Sequence, residues 1–455
     1  MPVSQSFQWS PQPEAFAILD QIVSRFLDRC AAAGDLARRL RRETGTRFFD
    51  WIDFIEVPDE GTLRKRLSTT GFVPTDIAAE GSAFHHPGAL FPTVLLSGAG
   101  IHRVGLKVDS VSDFLAAHNI TNDHKILGEP YATMRRVLAF SGDGAELWVV
   151  ERHGSHDLAP APVDADHCMR SLHHFECLRR RKRDWENEDD GWKRLSDLLD
   201  ASIADLGKDA TADLFFRAER DYWQRRNRAG RMQKARQDVL GLGWGNHDHH
   251  TLRCSRERFH QVVGTLEKVG FFCRERFYAG HEAGWGAQVM EQPHCGLVVF
   301  ADVDLSPEEV SGDFAHSGLT PRDFLGTVGI WCGLHGDSMM LAGMHHLEAQ
   351  FDFDLLRDQL STIGIETMDP FTDMPFLRQA FTEGERWKVP EKRVNKLLAE
   401  KLITPAQANQ FLMQGAIGSH LENLQREYGY KGFNQHAVSD IIRRTDPRTV
   451  SLRGG

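Results

Sequence analysis

The chain lacks any run of about eighteen apolar residues, the length a helix needs to cross a bilayer, so no transmembrane helix is expected. Met1-Pro2-Val3-Ser4-Gln5 lacks a basic region leading into an apolar core, which argues against a secretory signal. Cysteine is scarce: seven in 455 residues, an odd number without CxxC spacing. That usage fits free thiols in a reducing compartment better than a disulfide framework, and a cytoplasmic location is the default expectation. An excess of positive charge is also missing. A formal net charge of -10 argues against a general nucleic-acid binder.

What is present is an ordinary globular composition, 41% hydrophobic and 26% charged, in a chain long enough for roughly two to four domains. Residues 13–42 carry Phe16, Leu19, Ile22, Val23, Phe26, Leu27 and Cys30 at helical spacing and end in Arg38, Arg39, Arg41 and Arg42. Residues 48–57 then read as a strand, 60–69 as a helix, and 93–96 as strand again. The same order returns with a strand at 100–108, a helix at 112–118, and strands at 136–141 and 146–151.

A unit of strand, helix and several antiparallel strands thus occurs twice between about 48 and 155, an α+β arrangement of repeated βαβββ modules. The stretches FFDWIDFIEVPDEGTLRKRLSTTGF, GIHRVGLKVDSVSDFLAAH and AELWVVERHG resemble the N-terminal half of 4-hydroxyphenylpyruvate dioxygenase, in the vicinal oxygen chelate superfamily. The resemblance implies that residues 1–155 form a structural paired-module domain behind a leading helix. Asp53 stands where a metal-binding module would show His, and His102 with Glu151 makes two thirds of a site at most.

Pro160 and Pro162 open a charged, helical linker region over 156–240. Its basic run, 179–183, is followed by Glu186, Glu188, Asp189 and Asp190, which favours a solvated helix face over a nucleic-acid contact.

The remaining segment, 241–455, opens with Asn246-His247-Asp248-His249-His250-Thr251-Leu252-Arg253-Cys254. In a strand, residues two apart share a face, so His247, His249, Thr251 and Arg253 should line one side and Asp248, His250, Leu252 and Cys254 the other. A helix at 256–269 follows, then strands at 277–279, 285–291 and 297–303, a helical connection at 320–333, a further opening strand at 339–349 and a helix at 353–363.

From about 245 to 448 the chain resembles the 2-oxoadipate dioxygenase/decarboxylase family. The resemblance rests on Asp248-His249-His250-Thr251-Leu252-Arg253, Gly270-Phe271-Phe272-Cys273-Arg274-Glu275, Leu305-Ser306-Pro307-Glu308, His345-His346-Leu347-Glu348, the run 421–427, Gly432-Phe433 and Thr445-Asp446-Pro447-Arg448. It implies a metal held by His249, His346 and Glu422, the two-histidine, one-carboxylate set of non-haem Fe(II) oxygenases, which also tolerates Mn, Co or Zn. It further implies that Arg253 grips a substrate carboxylate as the catalytic anchor, with Thr251 beside it on the substrate side. His345 competes with His346, because the family has Asn at that place. A helical insertion at 389–413 leaves Glu427, Glu383 and Glu385 as rivals to Glu422.

The activity so implied is O2-dependent decarboxylation of a 2-oxo acid, giving CO2 and a hydroxylated acid, in a chain that could form a homo-oligomer. Two alternatives stand beside it: an O2-independent, metal-dependent lyase or isomerase of the glyoxalase type, and a non-catalytic small-molecule-binding protein.

Overall fold

The computed structural model describes residues 8–75, 82–121, 125–372, 374–434 and 446–448. The N-terminal pentapeptide and Thr445 lie outside the described residues.

Helix α1 (Pro13–Arg29) buries Ile18, Leu19, Ile22, Val23 and Phe26 as one stripe. The helix expected over 13–42 breaks at Cys30, whose backbone leaves the helical region, before α2 (Ala31–Arg39) and a π-helical turn, Leu40–Thr44. The first sheet contains β1 (Ile52–Pro58), β2 (Val73–Thr75), β3 (Ser82–His85), β4 (Thr93–Ser97), β5 (His102–Lys107), β6 (Met134–Gly142) and β7 (Ala145–Arg152). Helix α3 (Gly61–Thr69) follows β1, and α4 (Val111–Ala117) follows β5. The strand order is β2-β3-β4-β1-β5-β7-β6.

Four helices then cross to the second sheet: α5 (Ala165–Arg179), α6 (Glu188–Leu206), α7 (Lys208–Arg225) and α8 (Arg228–Asp238). That sheet contains β8 (His247–Arg253), β9 (Phe272–Tyr278), β10 (Trp285–Gln292), β11 (Leu297–Asp304), β12 (His346–Gln350), β13 (Leu377–Phe381), β14 (Glu385–Trp387) and β15 (Ala416–Arg426). Its helices are α9 (Phe259–Lys268), α10 (Pro307–Ser311), α11 (Thr327–His335), α12 (Phe353–Ser361), α13 (Glu391–Ala399) and α14 (Pro405–Gln414). The order is β13-β15-β12-β8-β11-β10-β9, with β14 paired to β15.

The pairing explains the repeat. In each module the first strand crosses through a helix and returns as a parallel neighbour of the last: β1 with β4, β5 with β7, β8 with β11, and β12 with β15. Two modules then join antiparallel through their first strands, β1 to β5 and β8 to β12. The result is a mixed α+β architecture of two multistranded sheets with helical insertions. Among the described residues no helix is long and apolar enough to cross a membrane.

Helices α5–α8 cover one face of the second sheet. Trp192, Leu195, Phe215, Phe216 and Trp223 pack in one core with Leu252, Val299, Leu347 and Leu421. The opposite face is left to a smaller aromatic cluster that includes Phe277, Trp285, Phe300 and Trp331.

Four expectations need correction. The opening strand foreseen at 339–349 is a π-helical turn, Ser338–Ala342, followed by a strand that begins only at His346. The helical connection foreseen at 320–333 is confined to Thr327–His335. The basic run is a solvated face only in part: Arg180 and Lys182 are exposed, but their neighbours are not. Arg181 and Arg183 are buried, each 2.6 Å from Glu219, and donate to the carbonyls of Met339 and Met340. They clamp the turn that leads into β12. Finally, His102 and Glu151 do not converge. His102 lies opposite Ala145 at one end of the β5–β7 pair, whereas Glu151 lies past the other end, bonded to Arg135, His153 and the Val111 amide. Asp53 is held by Arg152 at 2.7 and 2.6 Å. Among the described residues the first sheet has no cluster of three metal-ligating groups.

Candidate metal centre

Three adjacent central strands, β8, β12 and β15, converge on one cavity of about 80 Å³. On β8 the predicted alternation holds from His249 onward. His249, Thr251 and Arg253 line the cavity, while Leu252 and Cys254 enter the helix-covered core. His250 packs on Phe216 of α7, with ring centroids 5.1 Å apart. His247 departs from the expected row. At the start of the strand its Nδ1 bonds the Trp244 carbonyl and its ring lies against His250.

On β12 the residues that share the inner face are His346 and Glu348. Glu348 lies directly opposite Glu422 in the parallel register with β15. The resulting cluster is tight. Glu348 Oε1 lies 2.6 Å from His346 Nε2 and 3.3 Å from His249 Nε2, and Glu422 Oε2 lies 3.9 Å from His346 Nε2. His249, Glu348 and Glu422 each offer a donor atom within 4.8 Å of the others. The structure thus brings together His249, His346 and Glu422, and adds Glu348.

Glu348 was missed by sequence reasoning, although its signal was there: it stands two residues after His346 and so on the same strand face. The rivals of Glu422 are elsewhere. Glu427 pairs with Arg47 at 2.7 Å, Glu385 accepts from the Arg228 amide, and Glu383 is exposed. His345 precedes the strand, so alternation does not remove it from the cavity wall. Its Nδ1 bonds the Gly418 carbonyl, and its ring packs on Trp331 and His420.

The electrostatics of the cluster ask for a cation. Burial pushes Glu348 up to about 8, against the pull of His249 and the Thr251 hydroxyl, which donates to it at 2.9 Å. Burial and the neighbouring Glu348 charge also raise Glu422 well above the usual carboxylate range, despite a 2.7 Å hydrogen bond from Gln379. Two buried carboxylates this close cannot both ionise unless a positive charge joins them. Burial also holds His346 well below its ordinary range, so it is a neutral imidazole, the form that ligates metals.

His249 is oriented from behind. Its Nδ1 donates to Asp248 Oδ1 at 2.8 Å, and Arg426 grips Asp248 at 2.9 and 3.1 Å. Burial raises Asp248, but the Arg426 charge and the His249 bond outweigh it and hold the acid ionised. A carboxylate behind a histidine, leaving Nε2 aimed into the cavity, is the arrangement that supports a metal ligand. The donor set therefore fits a divalent cation: imidazole nitrogens, paired carboxylates and an outer carboxylate to fix a tautomer.

At the end of the cavity Arg253 is 4% exposed, with Nε and Nη1 buried and unpartnered. It makes no ion pair among the described residues. The two acids nearest to it on β11, Asp304 and Asp302, are engaged elsewhere or neutral. Asp304 caps α11 by accepting from the amides of Gly326, Val328 and Gly329. Asp302, beside Arg253 in the β8–β11 register, is pushed up to about 8 by burial, against the pull of Arg253. Phe277, Trp285, Phe300, Phe371, Phe381 and Phe433 supply the apolar walls.

No protein-family model and no curated sequence matches the chain. Among solved structures it is similar to a mutant of 4-hydroxymandelate synthase from Streptomyces coelicolor, at 13% identity and a TM-score of 0.29, covering 86% of this chain and 98% of that one. It is also similar to the Mn(II)-bound glyoxalase from Novosphingobium aromaticivorans (12% identity, TM-score 0.19, 85% and 87% covered). A catechol 2,3-dioxygenase is similar at 9% identity and a TM-score of 0.19, with 85% and 90% covered.

Proposed function

We propose that the chain is a metal-dependent dioxygenase of the vicinal oxygen chelate type that decarboxylates a 2-oxo carboxylic acid resembling 2-oxoadipate, yielding CO2 and a hydroxylated acid. In this reading Fe(II) is held by His249, His346 and Glu422, and a cytoplasmic setting suits the free cysteines. The observation that carries the reading is the juxtaposition of this donor cluster with Arg253, a buried guanidinium with no ion pair among the described residues, in one aromatic-walled cavity.

When bound, the ion supplies Lewis acidity toward the keto acid and a place for O2. The chain's own residues do the rest. Arg253 receives the substrate carboxylate through two parallel hydrogen bonds, which also returns a negative charge to the buried guanidinium. Asp302, protonated at neutral pH, can donate a hydrogen bond to a substrate oxygen from the adjacent strand. Thr251 fixes Glu348 and thereby the spacing of the donors. The phenylalanine and tryptophan walls exclude water, which strengthens each of these contacts.

One observation favours a second reading. Glu348 lies closer to both histidines than Glu422 does to His346. Three protein ligands would leave room at the ion for a chelating substrate and O2; Glu348 as a fourth would take part of that room. An O2-independent isomerase or lyase of the glyoxalase type would use that closed arrangement. Anaerobic Fe(II) loading followed by O2-uptake assays across a panel of 2-oxo acids separates the two. Uptake coupled to CO2 release supports the dioxygenase, and a loaded, folded protein that consumes no O2 with any 2-oxo acid removes it.

A further inference from the structure

We propose that Glu267, Cys273 and His316 form a second metal site, which takes a thiophilic divalent cation of the zinc kind and bridges the 312–326 loop to the edge of the second sheet. Their donor atoms, a carboxylate oxygen, a thiol sulfur and an imidazole nitrogen, all lie within 4.8 Å of one another. The cluster sits on the opposite face of the sheet from the first centre. Cys273 packs against the helix-covered core, whereas Phe277 of the same strand walls the metal cavity.

Three elements bring the donors together. Glu267 stands in the last turn of α9, and Cys273 is the second residue of β9, the strand at the sheet's edge. Only Val269, Gly270 and Phe271 separate the two elements, and Gly270 turns the chain at φ 92°, a left-handed value that glycine adopts without strain. His316 comes from the 312–326 loop between α10 and α11. Phe314 anchors that loop. Its buried ring stacks on Phe259 at the start of α9, with centroids 5.7 Å apart, and the Arg276 guanidinium lies 5.5 Å from it. From there His316 reaches Glu267, about two turns further along α9.

Geometry and charge suit a cation. His316 Nε2 lies 2.9 Å from Glu267, and Nδ1 lies 2.9 Å from both oxygens of Asp313. Asp313 thus stands behind this ring as Asp248 stands behind His249, turning Nε2 toward the other two donors. Of the charged groups that act on the Cys273 thiol among the described residues, Glu267 and Asp313 are acidic and Arg276 is basic, and Arg276 donates to the Val310 carbonyl at 3.2 Å. A tetrahedral zinc ion holds such donors roughly 3.5 Å apart. Side-chain rotation closes the remaining gap, and the 47% exposed His316 side chain has room to make it. A thiolate favours zinc and its neighbours over Mg2+ or Ca2+, and three protein donors leave the fourth place to water.

The test is Co(II) titration of the full-length, metal-stripped chain, in wild type and in His249→Ala, which removes a donor of the first centre. Thiolate ligation gives Co(II) an intense near-ultraviolet charge-transfer band, and no cysteine lines the first cavity to produce one. The expected result is a band in both proteins that saturates at one ion per chain, is bleached by Zn2+ and is untouched by Mg2+. Cys273→Ser should abolish it. His316→Ala, at an exposed position that leaves the fold intact, should weaken Co(II) binding at this site by more than about 100-fold, and Asp313→Asn by about 10- to 100-fold. Stoichiometric Zn2+ should raise the Tm of His249→Ala by about 2 °C or more, and not that of the double variant with Cys273→Ser. Absence of the band, a band that survives Cys273→Ser, or unchanged affinity in His316→Ala would overturn the proposal and leave the cluster an ion-paired surface contact.

Discussion

Glu348 and Glu422 face each other across the parallel pairing of β12 and β15, both almost wholly buried and both pushed above the usual carboxylate range. Neither is matched by a buried arginine or lysine at ion-pair distance among the described residues. The nearest titratable partners of the pair are His249 and His346, and these four side chains are where removal of a donor should be read first.

His249→Ala and His346→Ala are each expected to lose stoichiometric metal, because each removes an imidazole aimed into the cluster. His250→Ala should keep the metal, since that ring packs on Phe216 across the sheet. His345→Ala should keep it too, with reduced stability from the lost Gly418 bond. Metal content by elemental analysis after Fe(II) loading checks all four. The same metal content in every variant would refute the ligand assignment.

Glu348→Gln decides how many side chains hold the ion. If Glu348 is a ligand, affinity should fall by more than about 100-fold, and if it only supports the histidines, by about 10- to 100-fold. The dioxygenase reading expects the smaller loss, with O2 uptake retained. Metal titration of the apo-protein with a competing chelator gives the number.

Arg253→Lys should preserve fold and metal but lower kcat/KM toward the best 2-oxo acid by about 10- to 100-fold, because an ammonium cannot reproduce the two-pronged grip. Unchanged catalytic efficiency in the metal-loaded variant would take Arg253 out of the substrate site.

Asp302 predicts a pH dependence of stability. Its folded-state value is about 8 against an ordinary 3.8, so the native protein holds a proton there that the unfolded chain has released. The stabilising contribution is therefore complete below 3.8 and is lost as pH rises through about 8. Asp302→Asn should flatten that decline. Urea midpoints of wild type and variant at about pH 5 and about pH 9 test it, and parallel declines in both would place the responsible group elsewhere.

Much of this centre could be read along the chain because strand alternation is a local property. His249, Thr251 and Arg253 repeat at the pleat period, so one face follows from their spacing once the segment is recognised as a strand. The same rule applied two residues beyond His346 reaches Glu348. The repeated order of strand, helix and strands likewise made the α+β modules legible, since each module closes on its own first strand within a short stretch of sequence. What spacing could not supply was the partner across a strand. Glu348 meets Glu422, and Asp248 meets Arg426, only through pairings that span 74 and 178 positions. Burial was equally invisible: Arg181 and Arg183 look like a solvated basic run until Glu219 and the turn before β12 fold over them. Spacing along the backbone fixes which face a side chain takes, but the charge it meets there depends on long-range closure, and that belongs to the tertiary structure.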